Sequence, residues 1–315
     1  MRVLFWGTSE FAVPSLRSLI GEGFEVVGVV TQPDRATGRS RSRLTPPPVK
    51  EAALAEGVES VLQPEKPRGD EFLSAISALD AEISVVVAYG HLLSDDVIAL
   101  PRLGTVNVHA SLLPKLRGAA PIRAAIREGL NETGVTIMRM VKALDAGPII
   151  LQARTPVLPD ETYGELHLRL SELGALALVE ALTLLELGQA SEREQHHDSA
   201  TYAPKIDRDA TRIRWSENAG VVARHIRAFD PVPGALATLR DNDVKLFGAR
   251  PTERAGDEGG TATGEVVSID ADGMLVACGD GAVQVADVQP AGKRRMPVAE
   301  WLRGRGVRVG DRFGA

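Results

Sequence analysis

The chain has 315 residues and a formal net charge of −6, a balance that excludes a protein coated in positive charge for indiscriminate nucleic-acid binding. Its 44% hydrophobic and 25% charged residues are those of a globular protein, and the length predicts one large domain plus a smaller one. No apolar run reaches the ~20 residues of a membrane span, so no membrane insertion is expected; the single cysteine, Cys278, permits no internal disulfide, which predicts a reducing, cytoplasmic setting and a thiol used as core filler.

The opening MRVLFWG reaches Gly7 too soon for a secretory apolar segment and predicts a first strand. A helix follows with Phe11, Leu16, Leu19 and Ile20 as its apolar positions, then a second apolar run, so the first 34 residues read as a βαβ unit. Helices over 48–56 and 69–79 flank a short strand over 58–62, and Ile83 opens the strand ISVVVAYG. Continuous valine-rich runs imply burial on both faces, as in a mostly parallel sheet covered by helices. Strands over 104–109, 133–138 and 148–154 and a helix over 121–128 come next, and the near-3.6 apolar spacing over 162–187 predicts a long helix that closes the domain. GQASEREQHHDSAT then reads as an exposed polar linker. His196 and His197 stand in it without a third ligand at a usual spacing, which predicts a solvated loop and no metal site.

From Lys205 the pattern changes. A short helix over 219–228 precedes strand-like runs over 235–239, 244–249, 264–269, 274–278 and 283–288, broken by DND, DADG and GDG. Such spacing predicts a small antiparallel barrel. The expected fold is therefore α/β, with a doubly wound, Rossmann-like N-terminal domain over 1–189, a linker over 190–204, and a smaller antiparallel, OB-like β-barrel domain over 205–315.

GTSEFA lacks the second and third glycines of a dinucleotide site, and neither a phosphate-loop lysine nor a cysteine-rich metal pattern occurs. Three polar residues remain that can act together: Asn107 and His109 in TVNVHA, and Asp145 in VKALDAGPII. In a doubly wound sheet, ligands gather at the carboxyl ends of strands, where Asn107 and His109 lie, two apart and so on one face. Asp145 follows another strand and precedes a Gly-Pro turn, within reach of the same crevice. An amide to hold a carbonyl oxygen, an imidazole for proton transfer and a carboxylate to orient it suit acyl transfer to an amine that itself attacks. On these residues alone the opposite reading stays open, because a strand-end histidine is commonly satisfied by backbone and Asp before Ala-Gly is common in turns. One more feature stands out: RATGRSRSRLTPPPVK, from Arg35 to Lys50, carries five basic residues and no acid, either a solvated loop or a phosphate-binding one.

HASLLP, followed by RGAAPI and later by LDAGPI, resembles the folate-dependent formyltransferases, marked by an Asn, a His two residues on, Ser-Leu-Leu-Pro and a distal Asp. GTSEFAVPSL, VVTQPDRATGR, PPPVK, VVVAYG, ETGVTIM, TYAPKI, IRAFDPVPGA and QPAGKRRM extend the resemblance nearly end to end, toward those members that act on methionyl initiator tRNA. It implies transfer of the formyl group of 10-formyltetrahydrofolate to the α-amino group of methionine esterified to that tRNA. It implies that Asn107 holds the oxyanion, that His109 handles the proton and that Asp145 fixes His109. Folate is then expected along Ser111, Leu112, Leu113 and Pro114, with its pterin near main-chain groups of Tyr89 and Gly90. Arg39, Arg41 and Arg43 fall on the loop that enters the tRNA acceptor arm, and Lys205, Lys293 and Arg294 where tRNA backbone is contacted. Phe11 matches an aromatic near the methionyl side chain, against the alternative of a core position on the first helix. No metal is implied, and a monomer is expected. Arg214, in IRW, stands where relatives usually carry an acid. Two rivals remain: a formyltransferase for a small amine, which needs neither barrel nor arginine loop, and a noncatalytic tRNA-binding module with a decayed folate pocket.

Overall fold

The valine-rich runs of the N-terminal half assemble into one sheet. In the computed structural model, residues 1–37, 43–252 and 261–314 are described. The chain forms two units, the first made of Met1–Gly118, Thr133–Thr155 and His167–Tyr202, the second of Ala119–Glu132, Pro156–Leu166 and Ala203–Ala315.

The elements run β1 (Arg2–Gly7), α1 (Val13–Gly21), β2 (Glu25–Val30), β3 (Arg35–Thr37), β4 (Arg43–Thr45), α2 (Pro48–Ala55), β5 (Val61–Leu62), α3 (Asp70–Ser77), β6 (Ile83–Val87), α4 (Asp95–Ala99), β7 (Thr105–His109), α5 (Pro121–Glu128), β8 (Glu132–Arg139), β9 (Ile149–Pro156) and α6 (Tyr163–Glu186). The sheet order is β5-β2-β1-β6-β7-β8-β9. Strands β5 through β7 pair in parallel, whereas β8 runs against β7, with Asn107 opposite Met138 and His109 opposite Thr136. Burial explains the unbroken apolar runs: Val3 and Phe5 on one face of β1, Leu4 and Trp6 on the other, are all at most 1% exposed. Helix α6 lies close over the β7 face carrying Val106 and Val108, since a methyl added at Gly174 would stand 3.0 Å from Val108 Cγ1. That leaves the opposite face of β7, with Asn107 and His109, free of the helix.

Hairpin β3–β4 and helix α4 have no counterpart in the sequence reading, because neither three-residue strands nor a one-turn helix has room for a periodic signal. Arg39 and Arg41 lie outside the described residues, and Arg43 is described by its backbone alone. Lys50, at the island's end, is committed to Asp34 (2.8 Å) and Gln63 (2.7 Å). Hydrogen bonds from Gln63 and Lys50 hold the Asp34 carboxyl below the usual carboxylate range. The stretch after α6 is not exposed throughout, as hydropathy suggested: Arg193 and Ile149 exchange two backbone hydrogen bonds, and Gln195 is 5% exposed. A polar side chain buried by satisfying its hydrogen bonds leaves no apolar signature.

In the second unit, α7 (Ala219–Ala228), β10 (Ala235–Leu239), β11 (Asn242–Thr252), β12 (Val266–Asp270), β13 (Gly273–Ala277), β14 (Ala282–Pro290), β15 (Met296–Pro297) and α8 (Val298–Arg303) follow. The strands pair antiparallel in the order β10-β11-β14-β13-β12, with β15 on β14. The segment 310–314 joins the two edges. Asp311 O accepts from Val266 N–H (2.8 Å) and Phe313 N–H donates to Gly264 O (2.8 Å), while Thr238 and Gly314 exchange bonds of 3.1 and 2.8 Å. Closure removes the open edges that would template aggregation. Trp215 and Phe313 stack inside at 5.8 Å. Gly273, at φ +136°, crosses so close to β14 that a β-carbon would stand 2.1 Å from Val285 O. Helix α5 packs on α7, where Arg224 Nε donates to Arg127 O (3.4 Å), while Val222, Ala223 and Ile226 of α7 join the barrel core.

Cys278 is buried, and burial pushes its thiol up to about 12, the state of an inert packing group. Arg214 acquires a consequence through His225 on α7. Burial, reinforced by the charges of Arg127 and Arg214, lowers that imidazole to about 4, against the opposing effect of its 3.1 Å bond to Thr211 O.

Candidate active site

Strand β7 ends in a segment that is pinned almost entirely from the side. Thr136, directly opposite His109 on β8 and fully buried, donates through Oγ1 to Ser111 O (2.6 Å) and accepts from Leu113 N–H (3.1 Å) and Gln152 Nε2 (3.0 Å). Gln152 also donates to Leu113 O (3.0 Å), and Ser111 Oγ donates to Lys115 O (2.6 Å). The hydroxyl and carbonyl of Ser111 and both main-chain groups of Leu113 are thus engaged. What the segment presents outward is the partly exposed apolar surface of Leu112 and Pro114.

His109 is 6% exposed. Its Nε2 stands 3.0 Å from Leu116 O, and a carbonyl only accepts, so the hydrogen of the neutral ring belongs on Nε2. Nδ1 faces Asp145 Oδ2 at 3.7 Å, too long for a direct hydrogen bond but within ion-pair range. Asp145 reaches that place from the loop before β9, where its own φ is +48°. Its Oδ2 accepts from Gly118 N–H (2.7 Å) and its carbonyl from Gln195 Nε2 (2.9 Å). Asn107 is on the same face of β7 as His109 and partly exposed, and among the described residues its side-chain amide has no hydrogen-bond partner. An imidazole backed by a carboxylate, beside a free amide, can move a proton while stabilising a nearby oxyanion.

Tyr89 and Gly90 follow β6 at the same end of the sheet. The Tyr89 carbonyl is fully engaged, by Thr8 Oγ1 (2.8 Å) and Gln32 Nε2 (2.9 Å). Among the described residues, none of the main-chain N–H groups from Tyr89 to Leu92 donates within the chain. The loop therefore offers donors rather than this carbonyl. Gly90 has φ +88°, and a β-carbon there would stand 2.6 Å from the Gln32 amide. The Tyr89 ring is buried, which pushes its hydroxyl up to about 12, and packs on Trp6 at 5.4 Å.

The remaining expected positions are scattered. Phe11 is 6% exposed and meets His167 edge-on at 5.2 Å, a packed environment. Lys205 is exposed on a cleft of about 830 Å³ within the second unit, which Arg123 and Lys245 also line. Lys293 is exposed, and Arg294 pairs with Glu300 at 3.2 Å. Their neighbour Arg295 is structural, bonded to Asp230 (2.7 Å) and set 4.3 Å over the Phe247 ring. Sequence reasoning missed Thr136, Gln152, Gln195 and Arg117, whose single polar letters carry no spacing. Among the described residues, no group of three or more His, Cys, Asp or Glu side chains is placed to hold a metal ion, and no helix is long and apolar enough to cross a membrane.

With this geometry in place, comparison with known proteins defines the class. Residues 1–182 match the family described as Formyl transferase, and residues 205–306 match Formyl transferase, C-terminal domain. The chain belongs to the formyl transferase family. It is 46% identical over 315 residues to the methionyl-tRNA formyltransferase of Aromatoleum aromaticum, covering 100% of this chain and 98% of that protein. It is 44% identical over 313 residues to the methionyl-tRNA formyltransferase of Dechloromonas aromatica, covering 99% of each. Among solved structures, HypX from Aquifex aeolicus in complex with tetrahydrofolic acid superposes with a TM-score of 0.68 at 20% identity, covering 96% of this chain and 47% of that one. That likeness establishes the fold alone, and the chain spans about half the length of HypX.

Proposed function

We propose that the chain transfers the formyl group of 10-formyltetrahydrofolate to the α-amino group of methionyl initiator tRNA. The observation that carries the reading is the His109 ring between the Leu116 carbonyl and the Asp145 carboxylate, next to the unengaged Asn107 amide, in a chain 46% identical to a curated methionyl-tRNA formyltransferase. The folate co-substrate supplies an activated formyl carbonyl. Free main-chain donors from Tyr89 to Leu92 suit the polar edge of a flat heterocycle, and Leu112 with Pro114 give it an apolar wall.

Each side chain then has one task. As the amine attacks the formyl carbon and the carbonyl oxygen gains charge, Asn107 donates its amide hydrogen to that oxygen. His109 takes the amine proton at Nδ1, and Asp145, 3.7 Å from that nitrogen, supports the resulting cation. The same proton returns to the departing folate nitrogen as its bond to carbon breaks, so the ring ends as it began. Arg39, Arg41 and Arg43, with Lys205, Lys293 and Arg294 on the second unit, contact the tRNA backbone in this reading, and Phe11 lies beside the methionyl side chain. No metal takes part, the setting is the cytoplasm, and the working form is a monomer.

Transfer of labelled formyl from 10-formyltetrahydrofolate to methionyl initiator tRNA, run beside amino sugars and glycinamide ribonucleotide, tests the assignment. Transfer to the tRNA alone is the expected result. Preferential transfer to a small amine, or none to any acceptor, overturns it.

A further inference from the structure

Asp145 is held by more than its own loop. Its φ of +48° lies in the left-handed region, where a residue with a β-carbon persists only if its surroundings fix it. Gly118 N–H fixes the carboxylate and Gln195 Nε2 fixes the carbonyl. The same Nε2 donates to Gly147 O (2.8 Å), so both amide hydrogens of Gln195 grip the turn. Its Oε1 accepts from Arg117 Nη2 (2.6 Å) and Nε (3.2 Å). A guanidinium only donates, which settles which end of the amide is oxygen and aims the hydrogens at the turn. Arg117 is 4% exposed, and no carboxylate pairs with it among the described residues. It directly follows Leu116, whose carbonyl holds His109 Nε2. One buried amide and guanidinium therefore tie the turn carrying Asp145 to the segment that holds the imidazole.

Resting on the roles assigned above to His109 and Asp145, we propose that Gln195 is a positioning residue for formyl transfer, setting with Arg117 the separation between the Asp145 carboxylate and the His109 ring. Its influence on the reaction is exerted chiefly through the placement of Asp145.

Gln195→Glu keeps the shape and the acceptor for Arg117 but turns an oxygen toward the carbonyls of Asp145 and Gly147. Gln195→Met, uncharged and of similar length, is the second variant. In both, kcat for methionyl-tRNA is expected to fall about tenfold or more, with KM for each substrate within about threefold of wild type. In an Asp145→Asn background the same substitutions should lower kcat by less than about twofold further, because groups that act as a unit are not additive. An equal loss in both backgrounds, or wild-type kcat in the single variants, overturns the proposal. Unchanged kcat in Asp145→Asn itself overturns the role of Asp145 and the proposal together, whereas wild-type protein without any transfer to methionyl-tRNA overturns the proposed function first.

Discussion

At the scale of single residues, the site is economical in free groups. His109 has an acceptor at Nε2 and a carboxylate beyond Nδ1, Asp145 has a donor on its carboxylate, and the side chain left without a partner is Asn107. An unengaged amide in an otherwise satisfied neighbourhood is the group expected to meet substrate. His109→Ala is accordingly expected to lower kcat on the order of a hundredfold or more, the scale of a lost general acid-base. Formyl transfer by the purified, folded variant is the measurement, and a near-normal rate would remove His109 from the reaction. The sequence displayed Asn107, His109 and Asp145 because the chemistry they share limits their types. It did not display Gln195, whose burial depends on Arg117, 78 positions away.

At the scale of elements, the reversal between β7 and β8 matters most. Because β8 runs antiparallel, Thr136 stands opposite His109 and can pin the loop that leaves β7. Thr136→Val keeps the volume while leaving Ser111 O, Leu113 N–H and Gln152 each one bond short. A loss of about 3 kcal/mol in urea unfolding is expected, since unsatisfied buried groups cost roughly 1–3 kcal/mol apiece and some relax. An unchanged midpoint would show that the loop holds itself. Strands β3 and β4 lie on either side of Arg39 in the sequence, and there the expectation is kinetic. Arg39→Ala should raise KM for methionyl-tRNA and leave KM for 10-formyltetrahydrofolate nearly unaltered, with the difference shrinking as salt rises. Equal tRNA kinetics at low salt would take that arginine out of recognition. Elements were legible in proportion to their burial. Strands β1 and β6, covered on both faces, announce themselves as valine-rich runs, whereas β3, β4 and α4 are too short for any period to emerge.

At the scale of the whole molecule, part of the loss of stability between pH 6.5 and about 4 should trace to one side chain of the barrel unit. The folded state keeps His225 neutral down to about 4, while an unfolded chain takes up that proton near 6.5. The stabilisation is therefore complete above pH 6.5 and is lost as pH falls toward 4. It amounts to about 3 kcal/mol at roughly 1.4 kcal/mol per unit. His225→Gln keeps a donor for Thr211 O without titrating, and the difference between its unfolding free energies at pH 7 and pH 4.5 should be smaller than the wild type's. An identical difference would assign the acid limb elsewhere. The barrel itself was readable from its spaced turns, but its closure was not, because the segment 310–314 holds both edges through main-chain bonds that no side-chain pattern encodes.

Helix α5, eight residues long, precedes β8 in the chain yet packs on α7 with the barrel unit. Severing the polypeptide in the 190s would not yield two autonomous halves. The downstream fragment would begin without the helix that α7 packs on, and the upstream one would carry α5 without its partner. A chimera that borrows its barrel from a relative must therefore import this helix with it.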